Sequence, residues 1–290
     1  MPVAARPPLA ESPYAGFISV EGALEQGGWL RGQVPPRTVR LTLGAAPVAF
    51  DAQGRFFAGI DRDAPAVLRI TGTSAESQTL SRELTIARRD WRIERVDVAL
   101  SGSVPSETYM AIRRPELAAI EAARGRRSVS DGWLQSFAWP VKGRISGRFG
   151  SQRIYRGVPG SYHSGLDIAP GNGVPYVAPA DGVVVLAASR PFSLEGNLLI
   201  VDHGMGLNSA FLHSSRLAVK EGDRVRQGQL WAMSARRAAR PARTSTGVSN
   251  GRTHDWIRCF SCRRSNPTKK APGLLRAPHG DSAAKLRPPR

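Results

Sequence analysis

Three of the five histidines in this 290-residue chain, His163, His203 and His213, lie within 51 residues of one another. His163 is followed four residues later by a carboxylate, Asp167, at a loop-to-strand junction in the segment HSGLD. Both side chains can turn toward one point, and a nitrogen and an oxygen ligand of this kind suit a borderline ion such as zinc. The spacing alone leaves a second interpretation open, in which a structural histidine lies near a capping aspartate.

The elements that must position these residues are predicted to be β-strands. From Trp133 to about Leu230, short apolar runs alternate with glycine and proline, as at 183–186 and 198–201. This pattern is typical of a β-rich domain. Residues 16–98 contain shorter period-two runs between turn-rich stretches and predict a small β-sandwich-like module.

The segment between the two β-rich parts is predicted to be a linker that contains a helix. Pro115 and Glu116 suit the first turn of a helix, and Leu117, Ile120 and Ala123 then recur at a spacing of three. The expected organisation is therefore mainly β. It comprises a flexible leader at 1–15, a β-rich module at 16–98, a linker at 99–130, a second β domain at 131–230 and a tail at 231–290.

The composition excludes several classes of protein. The hydrophobic fraction of 41% and the charged fraction of 22% are ordinary for a globular chain. No apolar run approaches the ~18 residues that a membrane-spanning helix needs, and two cysteines do not make a disulfide scaffold. The first 19 residues contain prolines and small residues rather than a basic start and an apolar core, so no signal peptide is predicted.

Residues 139–229 resemble, without a gap, the lysostaphin-type (LytM-like) zinc metalloendopeptidase domain of peptidoglycan hydrolases. The motifs that carry the resemblance are WPVKGRISGRFG at 139–150, HSGLDIA at 163–169, VAPADGVV at 177–184, GNLLIVDHG at 196–204, FLH at 211–213 and VKEGDRVRQGQ at 219–229. The resemblance implies an antiparallel β-sheet groove that cleaves the peptide cross-bridges of bacterial peptidoglycan. It also implies a location in the periplasm or cell envelope.

The resemblance assigns roles to the histidines. His163 and Asp167 would be zinc ligands, and the third ligand would be the second histidine of a later His-x-His motif. His213 would act as a general base or as a hydrogen-bond donor to the tetrahedral intermediate. His203 is expected to be a structural residue in a turn.

The pattern ends after Leu230, and no His-x-His motif occurs in the chain. Codons for residues 234–248 can be chosen so that the frame two bases later encodes GATGRATGPHLHWG, which contains the missing motif. The same shift turns residues 231–233 into GHV, and residues 255–258 permit RLDP. We interpret the coding sequence as frameshifted near Leu230, which leaves the peptidase domain incomplete.

The frameshift also accounts for the tail. Residues 231–290 hold 14 basic and two acidic residues, a surplus of 12 within a net charge of +18, and show no hydrophobic periodicity. Such a segment is expected to be disordered. A nucleic-acid-binding or membrane-surface arm is the alternative. Cys259 and Cys262 form a single CxxC that lacks a second ligand pair.

Three functions therefore remain possible, and one of them is a cationic nucleic-acid-binding protein that uses the tail; the other two rest on the resemblance. The first is a zinc endopeptidase acting on peptidoglycan, impaired by the loss of its His-x-His motif. The second is a catalytically inactive LytM-like module that binds peptidoglycan or regulates another cell-wall hydrolase.

Overall fold

In the computed structural model of the chain, the described residues are 16–99, 106–171 and 173–234. The N-terminal part contains the short strands β1 (Ser19–Ala23), β2 (Trp29–Gln33), β3 (Thr38–Leu43), β4 (Ala46–Val48), β5 (Arg55–Gly59), β6 (Val67–Ser74) and β7 (Thr79–Thr85), and strand β8 (Ile93–Val96) follows them. Strands β1 to β7 form two small antiparallel sheets with the orders β1-β2-β5 and β4-β3-β6-β7.

The two sheets share one apolar core. Leu30 and Phe56 come from the first sheet and Leu41, Ile70 and Leu84 from the second, and none is more than 2% exposed. The period-two run in β3 buries Leu41 and Leu43 while the residues between them stay more accessible, as alternation across a strand requires. The predicted β-rich N-terminal module is confirmed.

The linker helix is longer than the sequence predicted, and the predicted start at Pro115 is wrong. Helix α1 spans Glu107–Gly125, and the Ser106 hydroxyl accepts a hydrogen bond from the Tyr109 backbone N–H at 3.2 Å. This N-cap satisfies a donor that the first helical turn would otherwise leave unpaired. Pro115 lies inside the helix, where tertiary packing of its buried face outweighs the local cost of proline.

The C-terminal domain is built on a curled six-stranded antiparallel sheet with the order β13-β18-β16-β15-β14-β17. A short 3₁₀ turn, Gly132–Leu134, precedes it. The strands are β9 (Arg144–Gly147), β10 (Gln152–Tyr155), β11 (Val158–Pro159), β12 (Asp167–Ala169), β13 (Pro175–Val177), β14 (Gly182–Ala187), β15 (Asn197–Asp202), β16 (Asn208–Leu217), β17 (Arg224–Val225) and β18 (Leu230–Ser234).

Both faces of this sheet are covered. On one face Leu199, Phe211 and Trp231 belong to a fully buried cluster. On the other face, Ile120 and Ala123 of α1 belong to a cluster that includes residues of β14, β15 and β16. Helix α1 is therefore packed as part of the C-terminal domain rather than as a free tether.

The last strand extends four residues beyond the domain end that the sequence predicted at Leu230. Trp231 is 0% exposed and its ring meets that of Phe211 edge-on, with centroids 4.8 Å apart. Burial of this large apolar side chain favours the strand over a polar tail. The rest of the predicted tail, from 235 onward, and the predicted leader at 1–15 lie outside the described residues. Within the described part of the chain, no helix is long and apolar enough to cross a membrane.

The N-terminal module contacts the C-terminal domain through strand pairing and through one buried arginine. Strand β8 pairs in parallel with β10. Arg62, only 6% exposed, donates to the Gly150 carbonyl at 3.0 Å and to the Gln152 side chain at 3.2 Å. Its guanidinium also lies over the rings of Trp91 and Tyr162. This contact supports the loop that leads to His163.

Replacing Arg62 with methionine is expected to lower the free energy of unfolding by about 1–3 kcal/mol, because buried acceptors lose their donors. Urea denaturation measures the change. Arg69→Met is the matched control, since Arg69 pairs with Glu83 on the surface at 64% and 62% exposure and should change stability by less than about 0.5 kcal/mol. Equal effects of the two substitutions would contradict a supporting role for Arg62.

Candidate functional site

The structure brings together two of the predicted site residues, His163 and Asp167. His163 Nε2 and Asp167 Oδ2 are 2.8 Å apart, and the two side chains are 16% and 1% exposed. Backbone bonds fix the histidine, because its N–H donates to the Ser151 carbonyl at 2.7 Å and its carbonyl accepts from the Gly150 N–H at 2.8 Å. The aspartate begins strand β12. A nitrogen and an oxygen donor thus converge at one point.

Gly147 lies directly against the side chains of His163 and Asp167, a contact that was not predicted from the sequence. It lies opposite Asp167 in the β9–β12 ladder. A Cβ atom at this position would overlap the Asp167 carboxylate, lying 3.0 Å from its Cγ and 3.1 Å from His163 Nε2. Only glycine leaves room for both side chains here. The available signal was its place in the motif GRISGRFG.

The third predicted residue, His213, lies on β16, within the six-stranded sheet and not on the small β9–β12 sheet. Its backbone has φ of 56°, a left-handed conformation that few non-glycine residues adopt. The register between β15 and β16 shifts at this point, which marks a bulge. Its N–H donates to the Glu195 carbonyl at 2.8 Å, and Gly196 lies beside its ring. Bulges of this kind re-aim a side chain next to functional sites.

The fourth histidine of interest, His203, is a structural residue, as predicted. It is 0% exposed. Its Nδ1 lies 2.7 Å from the Asp181 carbonyl, so this nitrogen donates, and its Nε2 lies 2.7 Å from the Ser209 hydroxyl, which can donate in turn. Burial lowers the pKa of His203, against the smaller opposing effect of the Asp181 carbonyl. The neutral imidazole can therefore hydrogen-bond with both the Asp181 carbonyl and the Ser209 hydroxyl.

The lowered pKa of His203 predicts a pH dependence of stability. In the unfolded chain this ring gains a proton near pH 6.5, whereas in the folded chain it resists protonation to a lower pH. Its contribution to stability is therefore present above about pH 6.5 and is lost as the pH falls through that value toward the folded pKa. Urea unfolding at pH 7.5 and 5.5 should show this loss, and His203→Gln should reduce the pH dependence. An unchanged dependence in the variant would contradict it.

A zinc site needs at least one protein ligand more than this pair supplies. Within residues 16–99, 106–171 and 173–234, no three histidine, cysteine, aspartate or glutamate side chains lie close enough to hold a metal ion. The donor types of His163 and Asp167 suit zinc. Because Gly147 has no side chain, it leaves the space in which these two side chains meet. The described residues therefore fit one part of a zinc site and do not complete it.

Comparison with known proteins agrees with this arrangement. The model of a family described as Peptidase family M23 matches residues 161–246, which include His163, Asp167 and His213. The peptidoglycan DD-endopeptidase ShyA of Vibrio cholerae is 35% identical over 105 residues, which are 35% of this chain and 23% of that protein. The murein hydrolase activator NlpD of Escherichia coli is 30% identical over 139 residues, which are 48% of this chain and 32% of that protein.

These relatives are longer proteins, and the match covers about a quarter to a third of their length. A crystal structure described as a peptidase M23 from Pseudomonas aeruginosa aligns with 85% of this chain and 89% of its own, with a TM-score of 0.51 and 23% sequence identity. That likeness concerns the fold, including the N-terminal part.

The chain thus contains a curled β-sheet domain that carries the His163–Asp167 pair and a histidine on a bulged strand. Within this domain, residues 161–246 match peptidase family M23, the lysostaphin or LytM type. The family is zinc-dependent and acts on peptidoglycan, and its members similar to this chain include both a named endopeptidase and a named hydrolase activator.

Proposed function

We propose that this chain is a form of a zinc endopeptidase that hydrolyses peptide cross-bridges of bacterial peptidoglycan, and that its own site is impaired. The observation that carries the proposal is the convergence of His163 Nε2 and Asp167 Oδ2 at 2.8 Å above Gly147. The named activity of the Vibrio cholerae relative supports the substrate class. Since peptidoglycan lies outside the cytoplasmic membrane, the proposed location is the periplasm or cell envelope.

The residues present have distinct proposed roles. His163 and Asp167 would be two of three protein ligands, and a zinc ion held by a complete set supplies a Lewis acid that activates water and polarises a carbonyl. His213 would hydrogen-bond to the attacking water or to the developing oxyanion. The bulge at His213 supports this role, because it re-aims the imidazole out of the regular strand pattern.

We attribute the missing ligand to a frameshift near Leu230. The alternative frame supplies GATGRATGPHLHWG, which contains the His-x-His motif that the present frame lacks. Sequencing the DNA around codon 230 tests this, and an unambiguous reading in the present frame would refute it.

A second candidate function is a catalytically inactive module that binds peptidoglycan or regulates another hydrolase. The incomplete ligand set among the described residues favours it, and the Escherichia coli relative is named as a murein hydrolase activator. In this function the groove would bind peptide without cleaving it.

Zinc content and cell-wall assays separate the two functions. The purified chain should contain much less than one zinc per molecule by elemental analysis and should release little soluble peptide from peptidoglycan. Co-sedimentation with peptidoglycan, without cleavage after the frame is restored, would favour the inactive module. Equimolar zinc and rapid digestion by the chain in its present form would contradict the impaired site.

The nucleic-acid-binding alternative concerns residues outside the described part of the chain. Duplex DNA binding that weakens steeply with salt and disappears when 235–290 are deleted would support it.

A further inference from the structure

The bulge that carries His213 needs support from outside its own strand. Between the pairs Asn197–Ser214 and Leu199–Phe211, strand β16 advances by three residues while β15 advances by two. His213 therefore occupies the extra position with φ of 56°. A non-glycine residue in this region is strained and persists only when its surroundings hold it in place. The geometry of the proposed catalytic histidine thus depends on what lies against it.

The loop between β14 and β15 supplies that support. The Glu195 carbonyl accepts the His213 N–H at 2.8 Å, and the Asn197 side chain donates to the Ser214 carbonyl at 2.8 Å. Gly196 lies so close to the imidazole that an added Cβ would be 3.3 Å from Nδ1. The loop itself is tight, because Gly196 and Phe192 exchange backbone hydrogen bonds. The position of Glu195 therefore sets the position of His213.

Glu195 is in turn held by helix α1. Both guanidinium nitrogens Nη1 and Nη2 of Arg113 donate to its two carboxylate oxygens at 2.7 Å, a bidentate pair. Arg113 also donates to Glu116 at 2.9 Å, and Glu116 accepts from the Ser193 backbone N–H at 2.7 Å and from its hydroxyl. Arg113 and Glu116 of the helix therefore hold the β14–β15 loop through Glu195 and Ser193.

The network is buried and charged. Arg113 and Glu116 are 7% and 8% exposed. The hydrogen bond with Glu195 raises the pKa of Arg113, against the opposing effect of burial. Burial alone would raise the pKa of Glu116, but the hydrogen bonds from Ser193 and Arg113 outweigh it and hold that pKa below its usual range. Bidentate, charge-assisted bonds in such surroundings fix geometry as well as adding stability.

We infer that Arg113 is a positioning residue of the hydrolytic site: through Glu195 it holds His213 in its left-handed geometry. Helix α1, which was predicted from the sequence to be part of a linker, then helps to position His213. This inference rests on the proposed role of His213 but not on the presence of metal. It assigns a function to an ion pair whose members are 82 residues apart in the chain.

Hydrogen exchange of the His213 amide tests the inference directly in the full chain. Arg113→Met should make this amide exchange at least about tenfold faster, while amides of the β3–β6 pair keep their rates. Arg114→Met is the matched control, since Arg114 is its neighbour on the helix, is 61% exposed and pairs with Glu107 on the surface. It should leave the His213 amide unchanged. Unchanged exchange in Arg113→Met, or equal acceleration across the six-stranded sheet, would overturn the inference.

Because Arg113→Met leaves two carboxylates buried without their cation, it can fail to fold. The double variant Arg113→Met with Glu195→Gln removes one of these charges while keeping the size of both side chains. It should fold and still show faster exchange at His213. Native-like exchange at His213 in this variant would overturn the inference equally.

Kinetics of the frame-restored chain separate this inference from the proposed function. Arg113→Met should lower kcat at least about tenfold with little change in KM, because it disturbs a group that acts in the transition state and not substrate binding. Arg114→Met should change neither. If the restored chain itself has no activity, the proposed function fails while the exchange result still stands. Full kcat in Arg113→Met would overturn the inference alone.

Discussion

Restoring the alternative frame after Leu230 is expected to produce a chain that binds one zinc ion tightly and cleaves peptidoglycan. The restored segment would be GHV followed by GATGRATGPHLHWG, which adds a third ligand to His163 and Asp167. Catalytic zinc sites use three protein ligands and one open position. The first histidine of the restored motif would also donate a hydrogen bond to the oxyanion, and loss of one such donor costs on the order of 10²–10³ in rate. We therefore expect at least that gain in activity.

Zinc analysis and the release of soluble peptide from peptidoglycan measure this effect. His163→Ala and Asp167→Ala in the restored chain should each abolish zinc binding and cleavage. A useful control restores the frame but replaces both histidines of the His-x-His motif with alanine, since it should fold without gaining zinc. A restored chain that stays free of zinc would argue for the inactive module, and an unaltered chain that is already fully active would remove the need for a frameshift.

The local part of the site was predictable from sequence because its spacing is local. Asp167 follows His163 by only four positions, so a turning backbone can bring the two side chains together, and the structure places His163 Nε2 and Asp167 Oδ2 2.8 Å apart. In β3, the alternation of Leu41, Thr42 and Leu43 likewise predicts from local sequence that the two leucines are buried. The resemblance of FLH to the family motif identified His213, whose role stays a prediction.

The supporting residues were not predictable because their contacts join distant segments. Gly147 meets Asp167 only after β9 and β12 pair, and nothing in the sequence around the glycine shows which side chain it faces. Arg113 meets Glu195 across 82 residues. The helix start at Glu107 was missed because Pro115 dominated the local pattern, whereas packing of the buried face outweighs its cost. Trp231 was assigned to the tail since burial against Phe211 is a tertiary effect.

The second large effect is expected at Gly147. Gly147→Ala would place a methyl group where the Asp167 carboxylate lies, 3.0 Å from Asp167 Cγ and 3.1 Å from His163 Nε2. The carboxylate has no free space to yield into, because Asp167 is 1% exposed and its backbone is paired in the β9–β12 ladder. The substitution should therefore push the two ligands apart. A displacement of about 1 Å at a reacting centre costs on the order of 10² in rate.

In the frame-restored chain, Gly147→Ala should accordingly lower the rate of peptidoglycan cleavage by about 10²-fold and weaken zinc binding, measured by competition with a chelator. Gly125→Ala is the matched control: this glycine ends helix α1, and an added Cβ would have no atom within 4 Å. It should leave zinc affinity and activity unchanged, which separates the clash of the added methyl group at position 147 from a general effect of replacing glycine. Since alanine keeps the backbone of β9 able to pair, the Gly147→Ala chain should remain folded by circular dichroism. Full zinc affinity in that variant would show that Asp167 can move without consequence, and the carboxylate would then not be a ligand.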